Sequence, residues 1–462
     1  MSHPQQHTTS KQSTSHRSSS KKSTSKHAVR IKAALAVGAL ACCAPASALD
    51  YEGYFRALAG SNSSSGGATC FQLSGTLAKY RLGNECEVYG EFTLSQAMAK
   101  ADDGAVFSTV IMLSYYSANA SSNSDADLPQ VYVQGAAIPE LNGGTVWMGR
   151  KYYKRESISD TDFMYWSGRG FGGGIEDISV GGDLKFSYAL LRKDNLVATT
   201  SGLLPATGAL KENGSNSATR HDFQLRGIPT NSNGSLELGM SVIVKDAKGN
   251  AETPADTLHS GYGATIQHRQ VNINGDGVNK FAVQYGKGPG TGGSDASVGA
   301  IGNLTDDKHI SRLRFVEGLY TQFTPRLGVE LIGVYQKDKG YTAERTELGV
   351  AENKVWTSVG THVVYGISRR FKLAMDLGVD AVRPDDGPTR RMTKFTIAPT
   401  LSSGPGMSAR PDLRLFYTYA KWNDAARLAA DSANPGSALS STGAFGAAKS
   451  GSMIGVQADV SF

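Results

Sequence analysis

Apolar and polar side chains alternate with period two along much of this chain, most clearly at its end. Ile454, Val456, Ala458, Val460 and Phe462 fall on one face, with Gly455, Gln457, Asp459 and Ser461 on the other. In residues 87–94, Val88, Gly90, Phe92 and Leu94 oppose Glu87, Tyr89, Glu91 and Thr93. In residues 413–420, Leu413, Leu415, Tyr417 and Tyr419 oppose Arg414, Phe416, Thr418 and Ala420. Similar stretches, some less regular, lie at 222–226, 236–242, 279–285, 327–336, 355–365 and 371–382. The pattern predicts β-strands. Beyond position 48 no apolar run approaches the ~20 residues that a spanning helix needs.

The first 48 residues read differently. A polar, basic tract leads into an apolar run at 33–41 and then to Ala46-Ser47-Ala48, the three parts of a secretory signal peptide with cleavage expected after Ala48. A membrane anchor fits less well, because the uncharged stretch before Asp50 is about 17 residues and contains Pro45. Residues 49–462 then hold two cysteines, Cys70 and Cys86. An even count in an exported chain reads as one disulfide closing a short loop, the alternative being two buried thiols.

Alternating strands can build a soluble sandwich with the apolar face inward, or a membrane barrel with the two faces exchanged. Export, a length well beyond an ordinary sandwich, and loops rich in Gly, Ser, Asn and Asp at 117–127, 212–218, 286–299 and 429–441 favour the barrel. A terminal strand ending on the aromatic Phe462 adds to this. At ~23 residues per strand and turn, residues 49–462 predict an all-β antiparallel transmembrane barrel of about 18 strands.

Charge and motifs narrow the function. Of the 47 basic residues, seven lie in the first 48 positions with no acid among them, leaving 40 against 41 acidic residues beyond. No basic surplus remains to neutralise a phosphate backbone, which argues against a nucleic-acid partner. There is no GxSxG elbow, phosphate loop, HExxH or CxxC. Glu85 and Glu87 form a carboxylate pair but abut a cysteine on a strand, so catalysis, a cofactor and a metal are not expected.

The segment Cys70-Phe71-Gln72, followed by Lys79-Tyr80-Arg81-Leu82-Gly83-Asn84-Glu85-Cys86-Glu87, strongly resembles the maltoporin family of outer-membrane sugar channels. The resemblance continues through Val133-Gln134-Gly135, Trp147-Met148-Gly149-Arg150, Asp162-Phe163 and Thr418-Tyr419-Ala420-Lys421-Trp422 to Phe462. It implies an 18-stranded, trimeric barrel of the Gram-negative outer membrane, with its third loop folded inward to narrow the pore. Family members pass malto-oligosaccharides or related sugars along an aromatic slide flanked by ionisable residues. Carried over, the slide keeps Tyr54 and Tyr89, while its other positions fall on Val278, Ser408 and Ser461. The polar track falls on Arg56, Arg81, Glu91, Arg155 and Asp162, with losses at Pro129 and Ser157, and the constriction tyrosine falls on Met164. Period two agrees, since Tyr54 shares a face with Arg56, and Tyr89 with Glu91.

The resemblance therefore implies a porin for facilitated diffusion of carbohydrate, with a slide too thin for tight maltodextrin binding. A general porin for hydrophilic solutes or ions is the transport alternative, and a structural or adhesive envelope barrel the other. The expected partners are oligosaccharides or other small hydrophilic solutes, outer-membrane lipid and further copies of the chain. Arg56, Arg81 and Arg155 against Glu91 and Asp162 predict a modest anion preference.

Overall fold

Eighteen strands follow one another around a single closed sheet in the computed structural model. It describes residues 49–462 except 65, 119–123, 194–216, 247–254, 294–296 and 343–351; the expected leader lies outside the described residues. The first six strands are β1 (Asp50–Asn62), β2 (Glu87–Lys100), β3 (Val106–Ala118), β4 (Asp125–Ile138), β5 (Gly144–Ile158) and β6 (Phe163–Gly181). The next six are β7 (Leu184–Lys193), β8 (Ala218–Pro229), β9 (Gly234–Lys245), β10 (Gly261–Ile273), β11 (Gly277–Lys287) and β12 (Ser311–Thr324). The last are β13 (Leu327–Lys339), β14 (Lys354–Gly366), β15 (Phe371–Pro384), β16 (Arg390–Ser402), β17 (Asp412–Trp422) and β18 (Ser450–Ser461).

Each strand pairs antiparallel with its neighbours in sequence, and β1 pairs with both β2 and β18, which closes the barrel. The seam ends in a reciprocal pair: Gly53 N–H donates to the Phe462 carbonyl at 2.8 Å and Phe462 N–H to the Gly53 carbonyl at 3.0 Å. The Phe462 ring lies over Gly53, 2.5 Å from where a Cβ on residue 53 would stand.

The two faces are those of a membrane barrel rather than a sandwich. On β17, Leu413, Leu415, Tyr417 and Tyr419 are exposed, while Arg414, Phe416, Thr418 and Ala420 are buried. On the last strand, Ile454 and Val456 are 54% and 57% exposed and the terminal Phe462 51%, yet Gln457 and Asp459 are buried. Gln284, Arg314, Gln336, Asp376, Lys394 and Thr396 are buried polar residues of other strands. Apolar side chains thus face outward to lipid and polar ones inward. All nine alternating stretches fall on strands. The expected loop at 429–441 begins instead inside α1 (Asp424–Ala433), an alanine-rich segment whose start is capped by Asn423, the side-chain oxygen accepting the Ala426 N–H at 3.0 Å. Within 117–127 and 212–218, residues 119–123 and 212–216 lie outside the described residues.

Two loops fold into the lumen. Cys70 and Cys86 are disulfide-bonded, with Cα atoms 5.7 Å apart, and so tie the first loop (63–86) to the start of β2. The third loop is the 159–162 turn of the long β5–β6 hairpin. Its Phe163 ring meets Trp356 of β14 edge-on at 5.6 Å, and the Tyr165 hydroxyl donates to Gln267 of β10 at 2.6 Å.

The inner wall is shaped to receive both loops. Register sets Gly318, Ile332, Gly360, Gly378 and Lys394 side by side across β12–β16. The Tyr80 ring of the first loop covers Gly360 and Gly378, where a Cβ at either position would lie 2.1 Å from it. Its hydroxyl bonds the Ser358 hydroxyl at 3.0 Å. Lys394 and Thr418 donate to the carbonyls of Leu82 and Gly83.

Alanine at Gly360 or Gly378 should push Tyr80 off the wall and cost about 1–3 kcal/mol. The check is a lower temperature for loss of the folded barrel's distinct migration on a denaturing gel. Gly333→Ala, whose Cβ would meet nothing nearer than 3.4 Å, should match the wild type. Replacing both cysteines by serine should remove roughly 3 kcal/mol, read in the same assay.

Candidate functional site

The sequence-predicted pore residues converge because strand register makes them neighbours. Tyr54 on β1 lies opposite Glu91 on β2 and Ser461 on β18, and Arg56 lies opposite Tyr89 and Asp459. Two successive inward rows therefore hold two aromatic rings, a guanidinium and two carboxylates before any loop is added.

The inward loops complete the site. Arg56 bonds Glu85 of the first loop at 3.1 Å, Glu87 of β2 at 2.8 Å and Asp162 of the third loop at 3.5 Å. Its guanidinium also lies 4.7 Å from the centre of the Tyr89 ring. Arg81 bonds Glu85 at 2.7 Å and donates to the Tyr54 hydroxyl. It links the two loops as well, donating through its side chain to the Ser159 carbonyl and through its backbone N–H to that of Asp160. Burial acts to lower the Arg81 pKa, but the adjacent Glu85 carboxylate together with Tyr54 and Asp162 outweighs it and holds the guanidinium above its ordinary value.

On the far side, the Tyr89 hydroxyl donates to Glu91 at 2.5 Å and Arg155 approaches Glu91 at 3.8 Å. The Arg155 Nε lies 2.7 Å from the Met164 sulfur, and its guanidinium stacks over Tyr152 at 4.8 Å. Tyr54, Arg56, Arg81, Tyr89, Glu91, Arg155, Asp162 and Met164 thus belong to one unbroken series of contacts. Charge-assisted bonds of this kind fix side chains in place more firmly than neutral ones.

Glu85 and Glu87 alter the charge expected from sequence. Both lie within the network, and Lys79 stands 3.8 Å from Glu87. Arg56, Arg81, Arg155 and Lys79 now face Glu85, Glu87, Glu91 and Asp162. The cationic excess behind the expected anion preference is therefore gone. Glu87 was legible in the sequence, since it shares the face of Tyr89 and Glu91. Glu85 sits in a loop, where period two carries no signal.

Two cavities of about 320 Å³ each flank the third loop, at the lower end of the ~300–1,000 Å³ range of small-ligand sites. The first is bordered by Tyr54, Arg81, Glu85, Ser408 and Ser461, and the second by Ser157, Val278 and Lys280. Tyr320, Ser159 and Glu330 line both. Tyr320 was missed by sequence reading, though its position is telling: it lies directly opposite Val278 on the neighbouring strand. An aromatic ring stands one strand away from where the family resemblance placed one.

Residues 49–462 match the model of the LamB porin family. Among solved structures, the chain is similar to the outer membrane channel DcaP of Acinetobacter baumannii, with 10% identity, 90% of this chain and 97% of that one covered, and a TM-score of 0.48. It is likewise similar to OpdQ of Pseudomonas aeruginosa, with 9% identity, coverage of 90% and 99%, and a TM-score of 0.47. An anion-selective porin from Comamonas acidovorans matches at 10% identity, 90% and 99% coverage and a TM-score of 0.45. A closed 18-stranded barrel with an apolar exterior and a polar, loop-narrowed lumen suits a non-catalytic outer-membrane protein that passes small hydrophilic solutes, and by the match over its whole described length the chain belongs to the LamB porin family.

Proposed function

We propose that this porin conducts carbohydrate by facilitated diffusion, binding sugars weakly on the way through. The observation that carries the reading is the placement of aromatic rings beside fixed charges on an open cavity: Tyr54 beside Arg81 and Glu85, and Tyr320 beside Glu330. A sugar ring has an apolar face suited to an aromatic side chain and hydroxyls that need partners once bulk water is displaced. Arg56, Arg81, Arg155, Glu91 and Asp162 would supply those partners, while Tyr54, Tyr89 and Tyr320 supply the rings. Several modest sites in series suit passage better than one deep trap.

Ser408 and Ser461 border the same cavity where the family resemblance placed aromatic rings. This supports weak rather than tight binding and keeps a general hydrophilic-solute porin as the second reading. An adhesin is less well supported, because the first and third loops turn inward instead of displaying themselves. We take the working assembly to be the trimer of the family, for which chemical cross-linking in the envelope is the direct test.

Planar-bilayer recordings titrated with a panel of sugars decide between the readings. Maltohexaose should block weakly but saturably, whereas the general-porin reading requires no saturable block by any sugar. Met164→Tyr places a ring and a hydroxyl beside Arg155 and should tighten the block roughly three- to tenfold, about 0.7–1.4 kcal/mol. Tyr320→Ala should weaken it by roughly the same factor, since one stacking contact is worth at most ~1–3 kcal/mol. An unchanged block in both variants would place sugar contacts elsewhere in the lumen.

A further inference from the structure

A second group of side chains, which shares only Glu330 with the sugar-contact series, meets beneath the third loop. Register places Glu330 on β13, His362 on β14 and Asp376 on β15 directly opposite one another, and the loop turn brings Asp160 onto them. One oxygen each from Asp160 and Asp376 and one ring nitrogen of His362 lie within 4.8 Å of one another. His362 Nδ1 stands 3.3 Å from Asp160 Oδ1.

Each of the three residues also carries one buried atom without a hydrogen-bond partner. Asp160 Oδ2, His362 Nδ1 and Asp376 Oδ1 make no hydrogen bond, although His362 is only 9% exposed and Asp376 0%. Buried polar atoms in native proteins nearly always find a partner, so one orphaned atom on each of three touching residues needs a reason. Lys394 reaches the other Asp376 oxygen at 3.3 Å and leaves Oδ1 free. Glu330 accepts from the Ser159 hydroxyl at 3.4 Å and from the Asp160 backbone N–H.

The geometry points to a divalent-metal site in which Asp160, His362 and Asp376 ligate a zinc-class ion and latch the third loop to the barrel wall. An imidazole among the ligands suits Zn²⁺ and its transition-metal neighbours, whereas Ca²⁺ and Mg²⁺ prefer oxygen ligands alone. Asp160, Glu330 and His362 border the first cavity, so an ion can enter from the lumen. Glu330, aligned beside His362, orients Asp160 through its backbone N–H.

The test uses the untagged full-length protein folded in detergent, loaded with Zn²⁺ and freed of excess by gel filtration. The wild type should retain about one zinc per chain by elemental analysis, should melt at a higher temperature with zinc than after chelation, and should keep its zinc in a large excess of Mg²⁺ or Ca²⁺. His362→Gln should lower zinc affinity roughly tenfold or more and abolish the thermal shift. Asp160→Asn should do the same from the loop side, and it decides the matter if the wall variant does not fold. Folded wild type that retains no zinc, or both variants binding as tightly as wild type, would overturn the site and leave protons shared among the carboxyls in its place.

Discussion

A strand that crosses hydrocarbon can send its N–H and C=O groups only to another strand, so a sheet in a membrane has to close. Here that requirement is met where β1 receives β18, and the seam ends with the backbones of Gly53 and Phe462 paired to each other. Closure fixes the register around the ring. Register in turn decides which inward side chains stand level with one another. Both the charge network and the row of wall glycines result from that alignment, since residues far apart in sequence become neighbours only once the sheet has closed.

The inner wall does two jobs at successive heights. One row, through Gly318, Gly360 and Gly378, gives up side chains so that loops can seat against backbone, and Tyr80 fills the space. The adjacent row carries Tyr320, Glu330, His362 and Asp376, whose side chains reach into the space left beneath the third loop. The first and third loops are fastened to each other by Arg81, through the carbonyls of Ser159 and Asp160. The throat is thus an assembly of two loops, tied by Arg81 and bridged by Arg56, and seated on a wall with matching gaps.

Inside the throat each charge is held by its neighbours. Arg56 alone touches Glu85, Glu87 and Asp162 and stacks on Tyr89. Charges held this way offer oriented donors and acceptors to a passing polar solute. The pairing also explains why sparse aromatic surface can coexist with a well-ordered polar track.

Much was legible from sequence because period two is a local property. The faces of β2, β17 and β18 follow from their own residues, and with them the inward placement of Glu87, Tyr89, Glu91, Gln457 and Asp459. The cysteine pair and the inward third loop were also open to sequence reading, the one from count and export, the other through family resemblance. Nine strands carried no alternating stretch, β5 and β6 among them. Phe163, Tyr165 and Trp166 of their inward hairpin are buried against the barrel wall, so no simple apolar-out, polar-in alternation survives there. Only the tertiary structure could place Glu85 beside Arg56, set Tyr320 opposite Val278 and bring Asp160 over His362 and Asp376. Alternation fixes which face a side chain takes, but the partner across the lumen depends on barrel closure, register and loop insertion, and none of these is written within a single strand.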